Sequence, residues 1–296
     1  MANTVYTDIP EDARTWTESR RWLSANDDKA WAERFYLTFI PIFFAYNAII
    51  QAAGWLDAGN FWHIAQNFLM WFPYCVILPL ILRRRSGIVW YRGWWFKFQL
   101  YVAVIVFFMT YFHTEYFFQV LGMRYRFDAV TLYFDSQLLG PPQATALANH
   151  ERIPVGMYLN TMAFFTVYHI AGVVVIRRIY NFSRGWIPGA RAIAFAASVV
   201  ATAFFFAWAE TFLYITAPAS TNVWYLDVPT MLKLGSWFYS LDFLCTFPNV
   251  YRLDERPDHA PWSYFRILIE ASGVCMFVLL LDDLWVAIFG ANFMGL

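Results

Sequence analysis

Seven apolar runs of roughly 20 residues recur along this 296-residue chain. Each is long enough to cross a hydrocarbon core of about 30 Å at about 1.5 Å per helical residue. They fall at about 35–54, 61–82, 96–120, 155–176, 192–216, 230–250 and 266–289. In lipid, a spanning segment must satisfy its own backbone polar groups. The pattern therefore predicts an all-α polytopic membrane protein, about seven transmembrane helices in one bundle. Residues 1–33 are expected to form a polar N-terminal segment ahead of a single transmembrane domain at 34–296. Pro41, Pro73, Pro79 and Pro248 lie within runs, where neighbouring helices can re-satisfy the freed carbonyls. The second run carries Trp62, Gln66, Asn67 and Trp71, which leaves open whether it crosses completely.

Only 14% of residues are charged, against about 25% in soluble chains. The net charge of zero gives no electrostatic footprint for a nucleic-acid partner. Cys75, Cys245 and Cys275 sit inside apolar runs with no CxxC pair, and read as small buried apolar residues.

Basic residues set the expected orientation. In the seven-span reading, 17 of the 21 lysines and arginines collect on one side, leaving Arg124, Arg126, Arg152 and Lys233 on the other. The N-terminus is therefore expected in the cytoplasm. The membrane would be the cytoplasmic one in a bacterium and the endoplasmic reticulum in a eukaryote. Two outward loops, 121–154 and 217–229, are long and aromatic (Tyr133, Phe134, Trp224, Tyr225), and are expected to be ordered caps.

Ionisable groups at membrane depth are costly, and each is a functional candidate. They are His113 and Glu115 in the third run, His169 in the fourth, Glu210 in the fifth, Asp242 in the sixth, and Asp282 and Asp283 in the seventh. Counting rise along each run places Glu115, Glu210 and Asp283 in one outer layer, with Asp242 and His169 deeper. Adjacent Asp282 and Asp283 point about 100° apart, and His113 and Glu115 do not face each other. No HExxH, GxGxxG, Walker loop or histidine box occurs, and no lysine lies deep in a span as a retinal protein needs. Aromatics make up 22% of the chain, which suits a large, flat, apolar ligand or a carbocation held by ring faces.

In order and spacing, several segments resemble one family. The third run reads Tyr111-Phe112-His113-Thr114-Glu115-Tyr116-Phe117-Phe118-Gln119, and the fourth Tyr168-His169-Ile170-Ala171 followed by Arg177-Arg178. The fifth reads Glu210-Thr211, and the sixth ends Phe247-Pro248 before Arg252-Leu253-Asp254-Glu255. The last reads Leu281-Asp282-Asp283-Leu284-Trp285. Over roughly residues 30–290 the chain resembles the cycloeucalenol cycloisomerases, the plant cyclopropyl sterol isomerases. His169, Glu210 and Asp283 match the plant pattern, whereas His113, Glu115 and Asp242 depart from it.

The resemblance implies an isomerase that opens the 9β,19-cyclopropane ring of a sterol to a Δ8 sterol, without cofactor or metal. Its partners would be the sterol and membrane lipids. A carboxylic acid buried in apolar surroundings keeps its proton at neutral pH and can serve as the acid. Glu115 and Glu210 are expected as the acid/base pair, oriented by Asp283 and His113, with His169 binding the 3-hydroxyl or relaying a proton. Asp242, Tyr116, Phe117, Tyr168, Tyr214 and Trp285 are expected to contact the sterol. The alternatives are a sterol- or lipid-binding protein without catalysis and a proton-coupled transporter. Convergence of Glu115, Glu210 and Asp283 on one pocket favours the enzyme, and their separation favours the binder.

Overall fold

The structure is a computed structural model that describes residues 20–134, 153–216, 222–290 and 292–295. Its long helices are α1 (Asp27–Ala52), α2 (Asn60–Leu82), α3 (Trp94–Gln119), α4 (Val155–Phe182), α5 (Pro188–Thr216), α6 (228–252) and α7 (Tyr264–Phe289). Six of them, all but α6, are long and apolar enough to cross a membrane. The chain is an all-α polytopic membrane protein.

The expected sixth span is helical, but it does not match the apolar character of the others. Ser236, Ser240, Asp242, Thr246 and Asn249 give α6 a buried polar face. It packs on α4, α5 and α7, so this face points into protein and not into lipid. The first helix also begins at Asp27, inside the segment expected to be polar and separate. Its N-terminus is capped by the Asn26 side chain, which accepts from the backbone N–H groups of Asp28 and Lys29.

Helix α4 is the axis of the bundle. It contacts α1, α2, α3, α5 and α6, and 78% of its apolar window is buried against 17% for α7. Gly172 lets α6 approach closely, since a Cβ there would meet the Phe247 ring at 2.9 Å. The outer helices turn Ile193, Phe205, Phe265, Leu280 and Ile288 outward, as lipid contact requires.

The polar residues of α2 are explained by where they point. Asn160 of α4 donates to the Asn67 carbonyl oxygen at 2.8 Å, and the Trp71 indole donates to Gln99 of α3 at 2.8 Å. These are interhelical hydrogen bonds, worth about 0.6–2 kcal/mol each inside a membrane. At 23 residues, α2 is long enough to span.

One end of the bundle is locked by charge. Arg177 on α4 reaches Glu33 on α1 and Glu255 beyond α6, each at 2.7 Å. The Lys29 ammonium meets Glu255 at 2.9 Å and donates to the carbonyls of Val250, Tyr251 and Leu253, satisfying the C-terminal turn of α6. Burial alone would push the Glu255 carboxyl up, but Lys29 and Arg177 hold it below the usual carboxylate range. Beside it, Lys97 pairs with Asp254 at 2.6 Å. Lys29, Lys97 and Arg177, counted above as orientation signals, are thus buried in ion pairs.

The opposite end is capped by short strands: β1 (Met123–Tyr125), β2 (Tyr133–Phe134), β3 (Ile153–Pro154) and β4 (Val223–Tyr225). β1 and β4 pair antiparallel, with Arg124 opposite Trp224, and so tie the two long loops together. β2 pairs with β3. The described parts of both loops therefore form an ordered cap, as their aromatic content suggested. Gly140, Pro141 and Pro142 lie outside the described residues.

Candidate active site

Beneath the β1–β4 cap, α3, α4, α5 and α6 line a chamber of about 90 Å³. Its ionisable lining is His113, Glu210 and Asp242, and its aromatic lining includes Phe117, Phe165 and Tyr239, with Tyr125 and Tyr225 from the cap. A second compartment of about 60 Å³ shares Glu210, Tyr125 and Tyr225 with the first, and adds Asn160 and Phe164. Glu210 stands where the two meet.

Glu210 is held from α6. The Tyr239 hydroxyl donates a short hydrogen bond to its Oε2. Tyr239 is buried by Phe117 and Phe243, so packing fixes the donor and the donor fixes the acid.

His113, Asp242 and Asp282 come together in the bundle interior. His113 Nδ1 lies 3.3 Å from a carboxylate oxygen of Asp242 and 3.1 Å from one of Asp282. All three residues are buried. Asp282 was counted among the ionisable groups but given no role.

The expected deeper layer for Asp242 is not found, and the reason is a short stretch of helix. Gly235 of α6 packs beside Leu121, just past the end of α3, so the descent of α6 into the bundle starts level with that point. From 235 to 242 is about 10 Å of rise, and from 121 back to 113 about 12 Å. The two side chains arrive at one depth. The residues before 235 include a widened π-helical turn, Met231–Gly235, which a uniform rise per residue miscounts.

Glu115 and Asp283 face elsewhere. They line a separate groove of about 280 Å³ between α3 and α7, with Tyr116, Gln119, Phe112 and Val286. There the Tyr116 hydroxyl donates to Asp283 at 2.5 Å. The structure thus brings Glu210 to His113 and Asp242, and Glu115 to Asp283, but does not bring Glu115 and Glu210 into one cavity. Glu115 lies two residues beyond His113, about 200° around α3, so it points away from the chamber that His113 lines; a second π-helical turn, Met109–His113, comes just before it. Its extra residue rotates everything after it relative to a regular helix.

His169 lines neither cavity. Its ring packs against Phe165, Phe243 and Phe247, and its Nδ1 bonds the Phe165 carbonyl at 2.8 Å. Among the expected sterol contacts, Phe117 and Asp242 line the chamber and Tyr116 lines the groove. Tyr168 is buried against Phe206 and Phe243, and Trp285 packs on Phe238 and Phe289, both away from the chamber lining. The Tyr214 side chain lies outside the described part.

Residues missed from sequence are the cap tyrosines Tyr125 and Tyr225 and the acid-holding Tyr239. Tyr239 carried a readable signal: it sits one helical turn before Asp242 on the same face.

Fold and site together define a polytopic helical membrane protein with an aromatic-walled chamber served by buried acids and a histidine. The chain is similar to cycloeucalenol cycloisomerase of Arabidopsis thaliana, 25% identical over 268 residues, covering 89% of this chain and 88% of the relative. This is a family-level relationship with an isomerase. No family model matches the chain, and no solved structure matches it.

Proposed function

We propose that this chain is a sterol isomerase that opens a 9β,19-cyclopropane ring by proton transfer. The observation that carries the reading is the convergence of Glu210, His113 and Asp242 on one buried chamber with aromatic walls. The relationship to cycloeucalenol cycloisomerase supports the reaction class.

In this reading Glu210 is the acid. It delivers a proton to carbon 19 of the ring, the electron pair of the C9–C19 bond forms the new C–H bond, and positive charge develops at carbon 9. The C8–H electron pair then closes the C8–C9 double bond, and the proton leaves through water on the side of the chamber that Asp242 and His113 line. Phe117, Phe165 and Tyr239 present rings to the chamber, which stabilise a cation without attacking it. The β1–β4 cap keeps bulk water from capturing that cation. Tyr239 positions the acid throughout.

A second reading, a sterol- or lipid-binding protein, is favoured by the separation of Glu115 and Asp283, which line their own groove, from Glu210 in the chamber. One experiment divides the two. Purified protein is incubated with a panel of cyclopropyl sterols, and products are resolved by chromatography and mass spectrometry. The proposal expects an isomer of unchanged mass that has lost the cyclopropane methylene. Saturable binding with no isomer from any sterol in the panel overturns it in favour of the binder.

A further inference from the structure

Three helices each place one metal-ligating side chain at the same interior point. They are His113 at the π-helical turn of α3, Asp242 in α6 and Asp282 in α7, and their donor atoms all lie within 4.8 Å of one another. We propose that these three side chains bind one divalent transition-metal ion, with its remaining coordination positions open toward the chamber.

The first argument is geometric. His113 Nδ1 stands 3.3 and 3.1 Å from oxygens of the two aspartates, yet it has no hydrogen-bond partner of acceptable geometry. Donors bound to a common ion by bonds of about 2.0–2.1 Å at tetrahedral angles stand roughly 3.3 Å apart. Both His113 separations match that spacing, and the two aspartate oxygens lie within 4.8 Å of each other.

The second argument is charge. His113, Asp242 and Asp282 are 1%, 4% and 2% exposed, and among the described residues no lysine or arginine pairs with either aspartate. Two carboxylates without a cation are expensive to bury. A divalent ion balances both and leaves the imidazole neutral, so the loaded site presents no net charge to a cation formed in the chamber. The basic end of the same molecule solves the same problem with arginine and lysine.

One imidazole with two carboxylates, and room for further ligands, suits Zn²⁺, Fe²⁺ or Mn²⁺. His113 and Asp242 line the chamber, so the open positions would take water or a ligand hydroxyl.

The test needs no sterol, so its outcome is independent of the isomerase reading. Full-length protein is purified in detergent without chelators and its metal content measured. It is then stripped and reloaded separately with Zn²⁺, Mn²⁺ and, without oxygen, Fe²⁺, and its melting temperature followed. The proposal expects about one equivalent of one of these ions, a higher melting temperature on reloading, and a drop in occupancy of at least about tenfold in Asp242→Asn and Asp282→Asn. Should those variants fail to fold, Co²⁺ loaded into the wild type must give the visible absorption of a protein-bound ion. No bound equivalent and no thermal shift with any ion overturns the proposal, as does full occupancy in both variants.

Discussion

At one end of the bundle, Arg177 and Lys29 meet Glu33 and Glu255, two cations against two anions with hydrogen bonds joining them. In the interior, Asp242 and Asp282 pair with His113 and, among the described residues, with no lysine or arginine. Both clusters are buried, and both join segments far apart in sequence. They differ in completion. In the first, each charge has an opposite charge and Lys29 also closes the end of α6. In the second, neither His113 nitrogen has a hydrogen-bond partner among the described residues, and the neighbouring chamber is walled by rings. A finished ion network stabilises; an unfinished one beside a cavity is available for chemistry.

Breaking the finished cluster should cost most in stability. Arg177→Met leaves Glu33 buried without its main partner, and is expected to lose about 3–5 kcal/mol, seen as a large drop in melting temperature in detergent. A variant melting with the wild type would show that the network is not what holds α1, α4 and α6 together. In the chamber the expected damage is to turnover. Glu210→Gln keeps the shape and the Tyr239 partner, and should lower turnover by about 100-fold or more with little change in melting temperature. The reverse pattern, unstable but fully active, would exchange the roles assigned to the two regions.

His169 sharpens the comparison because it is a buried histidine belonging to neither cluster. His169→Ala is expected to cost about 1–3 kcal/mol of stability, from lost packing on Phe165 and Phe247. Turnover at saturating sterol should persist, and its loss would return His169 to the mechanism.

The smallest effect is the pH response of the ion network. Glu255 has its folded-state pKa depressed by Lys29 and Arg177 against the opposing effect of burial, with Glu33 as the like charge beside it. A depressed carboxylate adds stability above its unfolded pKa and loses it as pH falls through the folded value. Its contribution should therefore be constant from neutral pH down to about 4.3, the ordinary glutamate range, and decline below that. Comparing wild type with Glu255→Gln across this range isolates it. A wild-type advantage that fades between pH 8 and 6 would contradict the assignment.

The spans were legible because apolar length is a strong signal, and the candidate acids because charge inside a membrane is rare. How the acids pair was not. Glu115 and His113 are two residues apart, and the π-helical turn at Met109–His113 leaves no mark in hydropathy. The Asp242 depth failed on the turn before Gly235. β1 and β4 are three residues each, too short to show an alternation. Lys29 and Glu33 were hidden by position: beside a span end, they look like interfacial charge. Only the fold shows that Arg177 and Glu255, distant in sequence, close around them.

The central claim is that Glu210 delivers the proton that opens the ring, and solvent deuterium tests it most directly. A cyclopropyl sterol is turned over in deuterated water, and the product's carbon-19 methyl is examined by mass spectrometry and NMR. The account predicts one deuterium in that methyl with the wild type, formed about 100-fold more slowly or worse with Glu210→Gln. A ring-opened product carrying no solvent deuterium, or a Glu210→Gln protein that labels the methyl at the wild-type rate, would contradict it.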